Sequence, residues 1–122
     1  MIAVSIIVPC FNAYSKIGRC LASLRSIDFP SDDYEVIFVD DKSTDGTYEM
    51  LKAECETQKN WLVTQLQNNS GSPSKPRNEG VKLAKGKYVF YLDCDDEILA
   101  DTIKVHYQHA EDYDACIVRG NL

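Results

Sequence analysis

Residues 88–96 read YVFYLDCDD, in which five apolar or aromatic residues lead directly into three aspartates within four positions. A run this apolar predicts a strand that is covered on both faces, as strands of parallel sheets are. The aspartates would then lie together where the buried strand ends. This stretch therefore predicts an α/β fold in which one strand carries concentrated negative charge to an edge of the sheet.

Similar apolar runs recur along the chain and predict further strands. The predicted strands are Ala3–Val8, which is expected to stop at Pro9, then Glu35–Val39, Trp61–Leu66, Tyr88–Leu92 and Ala115–Val118.

Between these strands, apolar residues recur at the spacing of an α-helix. The helix signals are Ile17, Cys20, Leu21 and Leu24 after a candidate cap at Ser15; Tyr48, Leu51 and Cys55 after candidate caps in Ser43–Gly46; Arg77, Val81 and Ala84 with Gly86 as the C-cap; and a stretch from about Asp101 to Ala110. Alternation of this kind favours an α/β domain with a doubly wound, mostly parallel sheet and helices on both faces.

Polar clusters follow three of the predicted strands, at Pro9–Asn12, Asp40–Ser43 and Asp93–Asp96. In doubly wound sheets, ligands bind beyond the carboxyl ends of the strands, where the strand order reverses. We therefore expect the three clusters to converge on one ligand site.

Composition narrows the class of partner. The 122 residues suffice for one domain, and a net charge of −6 with a pI near 4.8 disfavours nucleic acid and anionic membranes. The apolar start IAVSIIVPC is too short to span a bilayer and lacks the pattern of a secretory leader, so we expect a cytoplasmic protein without a transmembrane segment in this chain. Five widely spaced cysteines without a C-x-x-C pair predict buried, reduced thiols rather than a disulfide framework or a zinc site.

The acidic cluster itself predicts either shared protons or a bound cation. Two carboxylates about 4 Å apart repel by about 4 kcal/mol at an effective dielectric constant near 20. Oxygen-only ligands favour Mg²⁺ or Mn²⁺, and the single residue between Asp93 and Asp95 turns both side chains the same way in an extended backbone. We predict metal binding by Asp93 and Asp95, whereas Asp96 is expected to cap the following helix.

The stretches SIIVPCFN (5–12), VIFVDDKSTDGT (36–47) and PRNEGVKLAKGKYVFYLDCDDEI (76–98), in this order and spacing, resemble glycosyltransferase family 2. The resemblance implies an inverting enzyme that uses a nucleotide-diphospho-sugar on a GT-A type fold, of which this chain would form the nucleotide-binding half. It also implies a UDP-sugar as donor, Mn²⁺ or Mg²⁺ as cofactor, and a sugar or lipid-linked acceptor hydroxyl in polysaccharide or glycoconjugate synthesis, such as that of a cell wall or capsule.

The same resemblance assigns roles to individual residues. Nucleotide contacts are implied for Pro9, Phe11, Asn12, Asp41, Arg77 and Asp93, and metal contacts for Asp93 and Asp95, which match the D-x-D signature. Asp41 would accept a hydrogen bond from the base, usually uracil, while Asp40 would support the end of its strand. Arg77 and Asn78 resemble the family's R-N pair at the donor edge, and the alternative for Asn78 is that it fixes a turn.

The resemblance also predicts what the chain lacks. The family's catalytic domain continues well beyond the length seen here, so residues 1–122 are expected to be the donor-binding part of a truncated domain with little transferase activity, and the catalytic base is unknown. Contact with the inner face of the membrane would come through other parts of the protein. The alternatives are a non-catalytic nucleotide-sugar-binding module or a receiver-like regulatory domain, although a receiver would carry its acidic pair after the first strand.

Overall fold

A computed structural model describes residues 1–113, so the predicted strand at Ala115–Val118 lies outside the described residues. The strands are β1 (Val4–Cys10), β2 (Tyr34–Asp40), β3 (Trp61–Gln65) and β4 (Tyr88–Tyr91). The helices are α1 (Gly18–Arg25), α2 (Thr47–Glu56), α3 (Ser74–Leu83) and α4 (Thr102–Tyr113). Among the described residues, no helix is long and apolar enough to cross a membrane.

The four strands form one parallel sheet in the order β3-β2-β1-β4. The chain moves outward from β1 through β2 to β3 and then returns to place β4 on the other side of β1. The strand order therefore reverses between β1 and β4, which confirms the predicted doubly wound α/β fold and fixes the switch point.

Strand residues alternate between two apolar layers because side chains of a strand point to opposite faces in turn. Ile6, Phe38 and Phe90 belong to the larger layer, which also contains residues of α1, α2 and α4. Ile7 and Val39 belong to the smaller layer, on the face covered by α3. The helices therefore cover both faces, as predicted.

Close packing of α3 depends on a glycine. A Cβ atom at Gly80 would lie 2.4 Å from Cγ2 of Ile7 and 3.3 Å from Cγ2 of Val39. The contact with Ile7 is far inside van der Waals distance and the contact with Val39 is tight, so a larger residue would push α3 away from the sheet. The N-terminal end of α3 forms part of the wall of the cavity described below. The close packing at Gly80 therefore helps to position that wall.

The prediction that the first strand stops at Pro9 is wrong, because β1 continues to Cys10. The carbonyl of Ile7 accepts a bond from Leu92 on the β4 side, and the carbonyl of Cys10 accepts one from Asp41 on the β2 side. By this alternation the nitrogen of Pro9 faces the β4 side, beyond the end of that strand. The sheet therefore loses no hydrogen bond to β2 because Pro9 lacks an N–H, and proline is tolerated at such positions.

Two predicted helix caps are also wrong. Helix α1 begins at Gly18 after a turn that starts at Ala13, so Ser15 does not cap it. Helix α3 ends at Leu83, three residues before Gly86, and it contains Asn78, so the expectation that Asn78 fixes a turn is wrong as well. Gly86 is needed for close approach instead, since a Cβ atom there would lie 2.6 Å from the backbone nitrogen of Ser5.

Candidate functional site

An open cavity of about 390 Å³ lies at the carboxyl end of the sheet, beside the switch point between β1 and β4. The loops after all four strands approach it, as the positions of the polar clusters predict. Its lining residues are Pro9, Cys10, Phe11, Lys16, Asp41, Asn69, Gly71, Ser72, Pro73, Pro76, Asp93, Cys94 and Asp95.

In the loop after β1, Phe11 faces the cavity, whereas Asn12 stabilises the loop itself. Phe11 is 46% exposed and lines the cavity, so its ring is accessible to a ligand. Asn12 has a left-handed backbone (φ 48°), and its side-chain oxygen accepts a 2.8 Å bond from the backbone of Thr44. Asn12 does not line the cavity, so in this structure it joins the loops that follow β1 and β2.

Asp40 is a structural carboxylate. It is fully buried and accepts hydrogen bonds from the backbone and hydroxyl of Ser43, at 2.9 and 2.6 Å, and from the side chain of Gln65 at 3.0 Å. The predicted role of Asp40 in supporting the end of its strand is therefore confirmed.

Asp41 shapes the cavity through the loop after β3. It is 5% exposed, and its two carboxylate oxygens accept 2.8 Å bonds from the backbone and the hydroxyl of Ser70. The side-chain amide of Asn69 donates to the carbonyl of Asp41. These bonds hold the wall of residues 69–73 against the end of β2, while Asp41 itself still borders the cavity.

Asp93, Asp95 and Asp96 form the acidic triad at the rim of the cavity. One oxygen from each carboxylate lies within 4.8 Å of the others, and Asp93 and Asp95 are exposed. The backbone N–H of Asp96 donates to the carbonyl of Asp93, and this turn holds Asp96 beside the other two. The prediction that Asp96 caps the following helix is wrong, because α4 begins only at Thr102, and the structure groups Asp96 with the two predicted ligands instead. Three clustered carboxylates are a donor set suited to Mg²⁺ or Mn²⁺.

Arg77 lies behind the triad rather than in the cavity wall. One of its terminal nitrogens is 3.5 Å from Asp93, and its guanidinium carbon lies 5.7 Å from the centre of the Tyr91 ring. Its Nε is buried and has no hydrogen-bond partner among the described residues. Arg77 thus forms an ion pair with Asp93. Pro76, on the same helix, lines the cavity.

Two cysteines also line the cavity. The thiol of Cys10 donates a 3.4 Å hydrogen bond to the carbonyl of Val8. Interaction with Cys10 lowers the pKa of Cys94, whereas interaction with Cys94, together with burial, raises the pKa of Cys10 well above its usual value. The prediction of buried, reduced thiols holds for Cys10 and Cys20, while Cys55 and Cys94 are partly exposed and Cys116 lies outside the described residues.

The model of glycosyl transferase family 2 matches residues 5–122, which is nearly the whole chain. The chain belongs to glycosyltransferase family 2. The predicted family is thus confirmed by a match that spans every motif on which the resemblance rests.

Curated members of glycosyltransferase family 2 match over most of this chain. The poly(ribitol-phosphate) beta-glucosyltransferase of Bacillus spizizenii is 37% identical over 119 residues, covering 98% of this chain and 19% of the relative. The poly(ribitol-phosphate) beta-N-acetylglucosaminyltransferase TarS of Staphylococcus aureus is 42% identical over 104 residues, covering 85% of this chain and 18% of the relative. The chain therefore spans less than a fifth of the length of these two relatives.

Two solved structures that are similar to this chain contain a nucleotide sugar, and one of them also contains a metal. S. aureus TarS in complex with UDP-GlcNAc is 38% identical with a TM-score of 0.86, covering 93% of this chain and 32% of that one. A mannosyltransferase of Pyrobaculum calidifontis in complex with GDP-Man and Mn²⁺ is 29% identical with a TM-score of 0.75, covering 82% and 30%.

The family motifs did not reveal the cavity wall after β3 or the position of Lys16. Asn69, Gly71, Ser72 and Pro73 all come from one polar loop, which follows a strand and contains a glycine with φ 74°. The position of that loop beyond a predicted parallel strand was the available signal. No sequence signal indicated Lys16, because it lies in a turn whose start was not predicted.

Proposed function

We propose that these residues bind the nucleotide-diphospho-sugar donor of an inverting glycosyltransferase, with a UDP-sugar as the donor class. The observation that carries the proposal is the acidic triad at the rim of a cavity beside the switch point of the sheet. A diphosphate and a cation together match such a rim, because neither an anion alone nor a neutral ligand would offset its charge. The family and the UDP-GlcNAc complex of TarS support this choice.

The nucleoside is assigned to the side of the cavity formed by the ends of β1 and β2. Phe11 offers an exposed ring for contact with a base or ribose, and Pro9 lies beside it. Each oxygen of Asp41 already accepts one bond from Ser70 and keeps a second lone pair. Asp41 can therefore accept a bond from an N–H of uracil without giving up the cavity wall that it supports.

The donor diphosphate is assigned to the side formed by the acidic triad. Asp93 and Asp95 are the proposed metal ligands, and Asp96 is a third candidate within the same 4.8 Å limit. A bound Mg²⁺ or Mn²⁺ would offset the charge of the carboxylates and the diphosphate and would stabilise the departing nucleoside diphosphate. Arg77 would add positive charge behind Asp93 and approach the nucleotide at the edge of the site.

The whole enzyme is proposed to transfer the sugar by direct displacement. A base deprotonates an acceptor hydroxyl, and the hydroxyl oxygen attacks the anomeric carbon as the bond to the diphosphate breaks. We assign no residue of this chain as that base, so residues 1–122 alone are expected to bind donor with little transfer. Because the relatives are named for poly(ribitol-phosphate), we propose a polyol-phosphate or similar cell-wall polymer as the acceptor class.

Calorimetric titration tests the donor assignment. UDP, GDP and CMP are each titrated into the folded protein with and without Mn²⁺, and UDP is expected to bind most tightly and only with the metal. Asp95→Asn should abolish the metal-dependent heat, whereas Asp101→Asn, an exposed aspartate outside the triad, should leave it unchanged. Equal binding with and without Mn²⁺, or no binding to the folded protein, would refute the proposal.

A further inference from the structure

Lys16 is the only lysine or arginine among the described residues that line the cavity. Three of the other lining residues are carboxylates, namely Asp41, Asp93 and Asp95. Lys16 lies outside the family motifs at 5–12 and 36–47, so the resemblance gives it no role. A positive charge in a cavity that is proposed to bind an anionic diphosphate therefore has no function assigned to it.

Buried residues on both sides hold the backbone of Lys16. The N–H groups of Lys16 and Ile17 donate to the carbonyl of Ala13 at 3.0 and 2.9 Å, which closes a tight turn. Ala13 and Ile17 are 0% and 1% exposed, and the N–H of Ala13 donates to the hydroxyl of the buried Thr47 at 3.0 Å. The turn thus fixes the backbone of Lys16 at the cavity wall, while its exposed side chain can adjust to a ligand.

The ammonium group of Lys16 is not engaged by a carboxylate. In the described part of the chain Lys16 forms no ion pair, whereas Arg19, three residues further on, pairs with Glu97 at 3.4 Å. Arg77 is a second cation near the acidic triad, but it pairs with Asp93 at 3.5 Å and does not line the cavity. Lys16 is therefore the cation that is open to an anion inside the cavity.

The strand order places the turn of Lys16 between the two ends of the proposed donor site. Strand β1 lies between β2, whose end is assigned to the nucleoside, and β4, which leads to the acidic triad. A nucleotide that extends from one side to the other crosses the end of β1, and the turn with Lys16 follows that end. After interaction with Cys10, the charge of Lys16 also lowers the pKa of Cys94, which agrees with a position facing the triad.

We propose that Lys16 binds the diphosphate of the donor and stabilises the nucleoside diphosphate as it leaves. This inference rests on the proposed function, because it names a further contact to the same donor. An ammonium group carries three N–H donors, and hydrogen bonds between charged groups are about twice as strong as those between neutral groups. When the bond from the anomeric carbon to the diphosphate breaks, its electron pair stays on the diphosphate oxygen. An ammonium group beside that oxygen stabilises the developing charge.

Two titrations of one variant separate a charge contact from a structural effect. Lys16→Gln should lower the affinity for UDP in the presence of Mn²⁺ by about tenfold, as measured by calorimetry. The substitution removes a positive charge near the acidic triad, so Mn²⁺ alone should bind at least as tightly as to the wild type in electron paramagnetic resonance. An unchanged UDP affinity would overturn the inference. Weaker binding of both UDP and Mn²⁺ alone would also overturn it, because Lys16 would then support the structure of the site.

Two further variants control for charge. Lys16→Arg keeps the charge and should retain most of the UDP affinity. Arg19→Gln removes an exposed neighbouring cation that does not line the cavity, and it should leave the UDP affinity unchanged. Equal losses in Lys16→Gln and Arg19→Gln would show a general effect of net charge and would overturn the contact. A wild-type protein that does not bind UDP would refute the donor assignment as well, whereas normal binding by Lys16→Gln would refute this inference alone.

Chemical modification tests the wild-type protein without any substitution. Reductive methylation converts accessible lysines to dimethyl-lysine, and cleavage after Glu35 releases peptide 1–35, in which Lys16 is the only lysine. Saturating UDP with Mg²⁺ should slow the methylation of Lys16 severalfold and should not affect Lys52, an exposed lysine on α2. Equal methylation of Lys16 with and without bound UDP would overturn the inference.

Discussion

Two acidic clusters lie at the same edge of the sheet and have opposite environments. Asp40 and Asp41, at the end of β2, are 0% and 5% exposed and accept their hydrogen bonds from the chain itself. Asp93, Asp95 and Asp96 lie close together after β4, with Asp93 and Asp95 exposed, and Arg77 approaches Asp93 at 3.5 Å. The first cluster uses its charge to build the cavity, whereas the second keeps its charge available to a ligand.

The sheet topology explains this difference. Strand β2 lies between β1 and β3, so neighbouring strands and loops surround the carboxylates at its end and supply donors. Strand β4 ends at Tyr91 beside the longer β1, and its aspartates continue into an open turn. Equal sequence patterns, an apolar strand followed by aspartates, therefore give a structural pair in one place and a candidate ligand set in the other.

The largest effect should come from removing the buried carboxylate. Asp40→Ala leaves the donors of Ser43 and Gln65 without their acceptor, so we expect the free energy of unfolding to fall by about 3 kcal/mol. Urea denaturation measures this change. Asp95→Ala is the matched control in the exposed cluster, and an equal loss in that variant would remove the distinction between the two clusters.

A smaller effect should come from the donor that positions Asp41. Ser70→Ala removes one of the two bonds to that carboxylate, so the free energy of unfolding should fall by about 1 kcal/mol and the cavity wall should loosen. Denaturation and UDP titration measure the two consequences, and UDP affinity should decrease. Ser31→Ala, at an exposed serine elsewhere, should change neither, and an unchanged UDP affinity in Ser70→Ala would separate the wall from the site.

Asp95→Asn should divide stability from binding. Because Asp95 is exposed and lies among like charges, the free energy of unfolding of the variant should stay within about 0.5 kcal/mol of the wild-type value. Metal-dependent UDP binding should nevertheless be lost. Denaturation and calorimetry on the same preparation check this, and a strongly destabilised Asp95→Asn protein would mean that the triad is structural.

The smallest effect concerns a carboxylate at the other end of β4. Glu111 accepts side-chain hydrogen bonds from Lys87, Tyr88 and Tyr107, and these bonds lower its pKa from 4.5 to about 2. The bond from Lys87 has the largest effect. A lowered carboxylate pKa gives stability that is present above pH 4.5 and is lost as the pH falls towards 2. Glu111→Gln should therefore be less stable than the wild type near neutral pH, with the gap closing over this range and narrowing in high salt.

Denaturation at a series of pH values measures that gap. Glu49→Gln, an exposed glutamate on α2, provides the control and should show little dependence of this kind. A gap for Glu111→Gln that stays constant down to pH 2 would show that its hydrogen-bonded carboxylate does not couple folding to protonation.

The alternation of apolar runs with helical periodicity was sufficient for the fold, since strands that alternate with helices favour a parallel sheet. The prediction that residues 88–92 are covered on both faces is wrong for β4, in which Val89 and Tyr91 are only half-buried. Periodicity also failed at Pro9, because tolerance of a proline depends on which neighbour its missing N–H would face. It also failed at Gly86, because close approach to Ser5 comes from a contact distant in sequence. The D-x-D pattern located the candidate ligands, but only tertiary structure brought residues 69–73 to Asp41 and placed Asp96 beside Asp93.

We propose that the acidic triad, and not the buried pair of Asp40 and Asp41, is the place where a cation and a nucleotide meet. Electron paramagnetic resonance of Mn²⁺ tests it directly, because the signal of the free aqueous ion decreases when the ion binds. We predict that UDP increases Mn²⁺ binding to the wild-type protein and to Asp101→Asn, and that Asp95→Asn abolishes this increase while remaining folded. Undiminished UDP-dependent Mn²⁺ binding by folded Asp95→Asn would contradict the account.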